Sequence, residues 1–326
     1  VVADAVWRRR KLRRMDFIEW MRETHRLADQ LVRAALQAAE RADVPACADA
    51  ARRAAIILLR RYLEAFGGDA SGCDAVSLLE AAAQRDHYFS RIRAQAALLD
   101  AGWESGAAAE DIVDALKEIR FYAGHRAGRA MGFAVRPADR DPRLEPLVTH
   151  CTTVDRALSI FAHGALYSFN QCARRGLVSG PAIGVQFLLD PRRCTEFVIF
   201  GFPDHTYYAG EKVANSQRKG IVDEDLTEDY QPSVRLFFRE AELRALPGHE
   251  DDGCHFLMVR DQVSLDLMVC AVLPNEQARH QALERVKEPQ RRRCLAARCL
   301  VAPPECRGDP ESYVRVTNEM VMASLV

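Results

Sequence analysis

The chain has 326 residues, 48% of them hydrophobic and 28% charged, with a formal net charge of −1. That length suits two domains of ordinary size, and the near-neutral balance excludes a global field that would draw the whole protein onto nucleic acid or a membrane surface, so any such contact must come from a local patch. Apolar runs such as Ala54-Ala55-Ile56-Ile57-Leu58-Leu59 are far too short to span a bilayer, and the ten cysteines are scattered without a Cys-x-x-Cys pair, as expected of reduced thiols in a cytoplasmic protein.

Residues 1–14 hold the basic run Trp7-Arg8-Arg9-Arg10-Lys11-Leu12-Arg13-Arg14 with no long apolar stretch behind it, which argues against a secretory signal. Met15 is read as the start, leaving 1–14 as either an upstream extension or a basic tail that touches nucleic acid. From 15 to 132 the apolar residues recur with a helical period. One helix runs to Phe66 and is stopped by Gly67-Gly68; a second covers 76–83 behind a capping Asp74. Phe89, Ile92, Ala96 and Leu99, then Ile112, Leu116, Ile119 and Ala123, continue the pattern at steps of three and four. An all-α bundle of four or five antiparallel helices is expected.

Residues 133–146 mix charges with Pro137, Pro142 and Pro146, which neither sustain a helix nor bury themselves, and are read as a linker. From 147 to 326 the pattern changes to short β-type runs at 147–152, 183–188, 197–200, 233–238, 255–259 and 267–273. The clearest helices there are 154–162, ended by Gly164, and 277–288, stopped by Pro289. The fold class is therefore α+β, a helical bundle followed by a mixed, strand-rich domain. Cys294, Cys299, Cys306 and His255 fit no standard zinc spacing, so no metal is expected.

His150 and Thr152 lie two apart in a predicted strand, so both leave the same face and can touch one ligand. Thr153 can cap the next helix, which ends in Gly164-Ala165-Leu166-Tyr167-Ser168-Phe169-Asn170. This strand, helix and glycine turn resemble the NAD-binding entry of the ADP-ribosyltransferase superfamily, most closely the DarT-type enzymes that modify DNA bases. The resemblance continues in order over roughly residues 147–301, through the run Asp229-Tyr230-Gln231-Pro232-Ser233-Val234-Arg235-Leu236-Phe237-Phe238 and the turn Pro274-Asn275-Glu276.

The resemblance implies a split-sheet domain with NAD as co-substrate. It implies His150 and Thr152 on the adenosine-side ribose, Asn170 near the nicotinamide end, Arg192 or Arg193 as the catalytic arginine, and Tyr207, Tyr208 or Phe237 stacking nicotinamide. One departure stands out: Arg298 occupies the place of the family's catalytic glutamate, and an arginine can neither stabilise an oxocarbenium-like ribose nor accept a proton. Glu276, Glu305 or Glu319 are the alternative carboxylates. Between Gly210 and Gly220 a polar, basic loop offers Lys212, Arg218 and Lys219 for phosphate contacts to DNA or RNA, against the plainer reading of a solvated connector.

In the helical half, Phe66-Gly67-Gly68, Leu78-Leu79 and Ala97-Leu98-Leu99-Asp100-Ala101 resemble the HEPN family. Its nuclease members carry an arginine and a histidine at the spacing of Arg120 and His125. Residues five apart on a straight helix point about 140° apart, so the two meet one phosphate only if Gly124 breaks the helix or a homodimer brings two copies together. Three functions follow as expectations: an NAD-dependent ADP-ribosyltransferase acting on nucleic acid, as a toxin or anti-phage effector with an antitoxin as partner; a metal-independent RNase using Arg120 and His125; or a non-catalytic nucleotide-binding protein with a degenerate transferase pocket.

Overall fold

The computed structural model describes residues 19–20, 23–24, 26–130, 146–177, 191–204, 231–251 and 257–325. Two compact units emerge, Val1–Ala134 with Leu188–Arg192, and Val135–Phe187 with Arg193–Val326. The first is helical and the second mixes helices with small sheets, so the protein is α+β. Among the described residues no helix is long and apolar enough to cross a membrane.

The helical unit contains α1 (26–40), α2 (Val44–Phe66), α3 (Ala75–Arg85), α4 (Arg93–Ala101) and α5 (Ala109–Ala130). Helix α2 starts where the Asp43 carboxylate accepts from the Ala46 amide and ends where Gly67, at φ 74°, turns left-handed and donates back to the Leu63 carbonyl. A run of small side chains, Ala48, Ala51, Ala54 and Ala55, is fully buried along it and lets the neighbouring helices approach closely. Helix α3 begins on Asp74, whose carboxylate accepts from the Ser77 amide. Phe89, Ile92, Ala96 and Leu99 are all buried, but they divide between a 3-10 turn, His87–Ile92, and α4, because Asp86 caps the turn by accepting from the Tyr88 amide. Helix α5 continues through Gly124 to Ala130 without a break, so of the two routes that would bring Arg120 and His125 to one phosphate the interruption at Gly124 is not the one taken. A single glycine costs a helix only about 1 kcal/mol, which the burial of Phe121, Tyr122, Ala123 and Ala127 around it outweighs.

In the second unit the described strands are β1 (Leu147–Thr152), β2 (Ala165–Tyr167), β3 (Phe197–Phe200), β4 (Val234–Arg239), β5 (His249–Glu250), β6 (Leu257–Arg260), β7 (Gln262–Ser264), β8 (Met268–Leu273) and β9 (Cys299–Val301). They form a four-stranded sheet in the order β1-β4-β8-β9, a three-stranded sheet β3-β6-β5 and a two-stranded sheet β2-β7. Strand β4 is antiparallel to both β1 and β8, and β9 is parallel to β8, so β1, β8 and β9 run the same way and their carboxyl ends share one edge. The exposed edge of β1 is met by reciprocal amide bonds of 2.9 Å between Thr149 and Gly201, just past β3.

Both faces of the four-stranded sheet are covered, which is why Val-Arg-Leu-Phe-Phe of β4 is buried at every position. Val234, Leu236 and Phe238 enter one core with Val148, Phe161, Leu166 and Leu295. Phe237 enters the other, with Leu147, Val272, Tyr313, Val314 and Val321. The described α-helices of this unit are α6 (Val154–His163), α7 (Phe169–Arg174), α8 (Glu240–Arg244), α9 (Glu276–Glu284), α10 (Pro289–Arg298) and α11 (Pro310–Ser324). Pro289 opens α10 instead of stopping its predecessor, since proline fits the first turn, where no amide is needed. Cys299 and Cys306 fall in the two different cores, on opposite faces of the sheet, so they do not converge on one metal, and His255 lies outside the described residues.

Candidate functional site

His150 and Thr152 leave β1 on the face shared with Leu236 and Val234, their partners on β4. Thr152 is buried and His150 half-buried. The His150 ring meets the Ile199 carbonyl through Nδ1 at 2.9 Å. A carbonyl oxygen only accepts, so Nδ1 carries the proton and Nε2 keeps its lone pair. Burial pushes the His150 pKa below the ordinary 6.5, the nearby Arg156 guanidinium pushes it the same way, and the bond to Ile199 opposes them. The ring is thus a neutral acceptor at pH 7, held in one tautomer by a strand from another sheet.

Helix α6 begins on Thr153, whose hydroxyl accepts from the Arg156 amide at 3.4 Å, and ends on Gly164, at φ 68°. This places Arg156 in the first turn of the helix that follows β1. The Arg156 guanidinium acts on Cys172 as well as on His150, and with Arg175 it partly offsets the burial that raises the Cys172 pKa. Arg175 in turn lies 4.3 Å above the Tyr167 ring. Arg156 thus acts on both His150 and Cys172, and Arg175 on Cys172, a positive charge pattern suited to an anionic ligand that also offers hydroxyls. Asn170 is half-buried in the first turn of α7, next to Gln171, whose side-chain amide donates to Asp261 Oδ1 at 3.0 Å.

The other expected residues scatter. Arg192 belongs to the helical unit, where its amide donates to Asp114 at 2.8 Å and its guanidinium pairs with Glu110 and Asp111. Arg193 is half-buried in the 3-10 turn before β3. Phe237 is wholly buried beneath the Arg235 guanidinium and cannot stack on a ligand; β4 is central and both its faces are covered. Arg298 is spent on the backbone, donating to the Asp266 and Met268 carbonyls at 3.1 and 2.9 Å.

Glu276 and Glu305 follow the carboxyl ends of β8 and β9, on the same sheet edge as Thr152, but both are exposed and Glu276 pairs with Arg279 at 3.4 Å. Glu319 is likewise exposed and paired with Arg315. Tyr207, Tyr208, Lys212, Arg218 and Lys219 lie outside the described residues. In the helical unit, Arg120 pairs with Asp29 at 3.3 Å, while His125 Nδ1 bonds back to the Phe121 carbonyl at 3.0 Å, both from one continuous helix.

Arg156, Cys172 and Asp261 were not singled out by sequence. Arg156 carried a local signal, standing three residues after a capping threonine; Asp261 carried another, an acidic residue between two β-type runs, where turns favour it. Comparison of the chain with protein-family models, with curated proteins and with solved structures finds no match in any of the three.

His150 also makes a prediction about pH. The unfolded chain takes up a proton at this residue near pH 6.5 while the folded chain resists it, so stability falls as the pH drops below that value. Urea midpoints measured between roughly pH 7 and pH 5 should decline less steeply in His150→Gln than in the parent.

Proposed function

We propose that the second unit is an ADP-ribosyltransferase-like enzyme that uses NAD as donor and nucleic acid as acceptor, its small sheets corresponding to the split sheet of that superfamily, in a toxin or anti-phage setting. The observation that carries this reading is His150. Its single tautomer leaves Nε2 to accept a ribose hydroxyl, and the Arg156 guanidinium that acts on it can balance a diphosphate. Thr152 leaves the same face of β1 as His150, and the resemblance assigns Asn170 to the nicotinamide end of the same ligand.

Purified protein incubated with labelled NAD and separate pools of DNA, RNA and protein tests the reading. Label is expected on a nucleic-acid pool. His150→Ala should weaken NAD binding about tenfold or more, the equivalent of one lost hydrogen bond of about 1.4 kcal/mol. Absence of both NAD binding and labelling in the parent protein overturns the proposal. A second reading, nucleotide binding without transfer, draws on Arg298, whose guanidinium is committed to two backbone carbonyls at the place of the expected glutamate; NAD binding without label on any pool would select it. For the RNase reading, an unbroken α5 turns Arg120 and His125 away from each other within one chain, and a His125→Ala control in the same assay reports any RNA cleavage.

A further inference from the structure

Asp261 is one of two non-glycine residues with positive φ among the described residues, at 65°. It forms the single-residue pivot at which the chain leaves β6 of the three-stranded sheet and enters β7 of the two-stranded one. Both of its backbone groups are committed: its amide donates to the Glu196 carbonyl at 2.8 Å and its carbonyl accepts from the Ser168 amide at 2.7 Å. Aspartate tolerates this left-handed conformation better than most residues, and residues held there by their surroundings concentrate at functional sites.

Its carboxylate differs from its neighbours in what holds it. Glu196 and Glu250 are matched by Arg260, Asp266 by Arg291 and Glu276 by Arg279. The half-buried Asp261 is held only by the neutral amide of Gln171 on Oδ1, and Oδ2 has no partner among the described residues. Its charge is therefore not neutralised, and it is anchored to α7, the helix that carries Asn170 and Cys172.

We infer that Asp261 is the catalytic carboxylate of this site, supplying the negative charge and the proton acceptor that Arg298 cannot. The inference rests on the transferase reading. Glycosidic cleavage of NAD breaks the bond between ribose C1′ and the nicotinamide nitrogen, and the electron pair leaves with nicotinamide. The cationic character that develops at the ribose is stabilised by a nearby carboxylate. The acceptor's nucleophilic atom then bonds to C1′, and the proton it sheds passes to Asp261 Oδ2 and from there to water.

The test is Asp261→Asn, which keeps the shape, the tolerance for positive φ and an acceptor for Gln171 while removing the charge. Transfer of label from NAD should fall about 100-fold or more while NAD affinity stays within about twofold, a loss in turnover without a loss in binding. Asp261→Gly, which relaxes the backbone and also lacks the carboxylate, should be equally inactive. Retention of transfer in Asp261→Asn overturns the assignment while leaving the transferase reading standing. A parent protein that neither binds NAD nor transfers label overturns both.

Discussion

Arg235→Ala is expected to lower the stability of the second unit by about 3–5 kcal/mol, the combined cost of a core cavity and of buried acceptors left without a donor. Arg235 is wholly buried on β4, facing α11. Its guanidinium donates to the Val314 carbonyl at 3.3 Å, to the Thr317 hydroxyl and to the Pro203 carbonyl, and lies over the Phe237 ring. Asn318 joins the same network, donating to the Pro203 carbonyl at 3.3 Å and to the Asp204 carboxylate at 3.2 Å. One side chain thus ties β4, α11 and the 203–204 turn together.

None of the atoms that accept from Arg235 is a carboxylate, and its Nε is buried without a partner, so the charge is expensive to keep there. Replacement by an apolar side chain of similar length should therefore cost much less than truncation. Urea unfolding followed by far-ultraviolet circular dichroism, with hydrogen exchange at the β4 and α11 amides, separates the cases. Arg235→Met should lose less than half of what Arg235→Ala loses; a loss under about 1 kcal/mol for alanine would show that the network contributes little.

The second large effect is expected in the helical unit, where Asp86→Ala should cost about 3–5 kcal/mol by removing the carboxylate from a mostly buried ion pair. Asp86 and Arg126 are each only 12% exposed at the side chain. The same carboxylate caps the 3-10 turn by accepting from the Tyr88 amide at 3.2 Å, and Arg126 lies 4.5 Å over the Tyr88 ring, so one substitution disturbs a cap, a pair and a stack. Tryptophan fluorescence reports on this unit, since Trp20 and Trp103 fall within it and the sequence beyond Trp103 holds no tryptophan. Asp86→Asn, which keeps the cap but not the charge, should lie between alanine and the parent. Combining Asp86→Ala with Arg126→Met should recover part of the loss, because no guanidinium is then buried without its carboxylate.

Much of the local architecture was legible in the sequence because it is written in local chemistry. The stop of α2 at Gly67, the start of α3 at Asp74, the cap of α6 at Thr153 and its end at Gly164 all depend on residues within one turn of each other. The placement of His150 and Thr152 on one face of β1 follows from the alternation of a strand alone. Helix α11 was harder to see. Its inward face carries Thr317 and Asn318 beside Tyr313, Val314 and Val321, so the apolar period is diluted by polar residues whose partners, Arg235 and the 203–204 turn, are remote in sequence.

Sequence by itself determined the α+β class, the change from helical to strand-rich grammar, the caps and turns, and the face shared by His150 and Thr152. Tertiary structure alone decided which charges remain available. It gave Arg298 to two backbone carbonyls and the Arg192 guanidinium to two carboxylates, laid Phe237 beneath Arg235, fixed the His150 tautomer with a carbonyl from β3, and left Asp261 with one neutral partner. The physical reason is the range of the interactions: caps, turns and strand alternation act within a few residues, whereas the burial, pairing and protonation of a charged group depend on atoms that only folding brings alongside it.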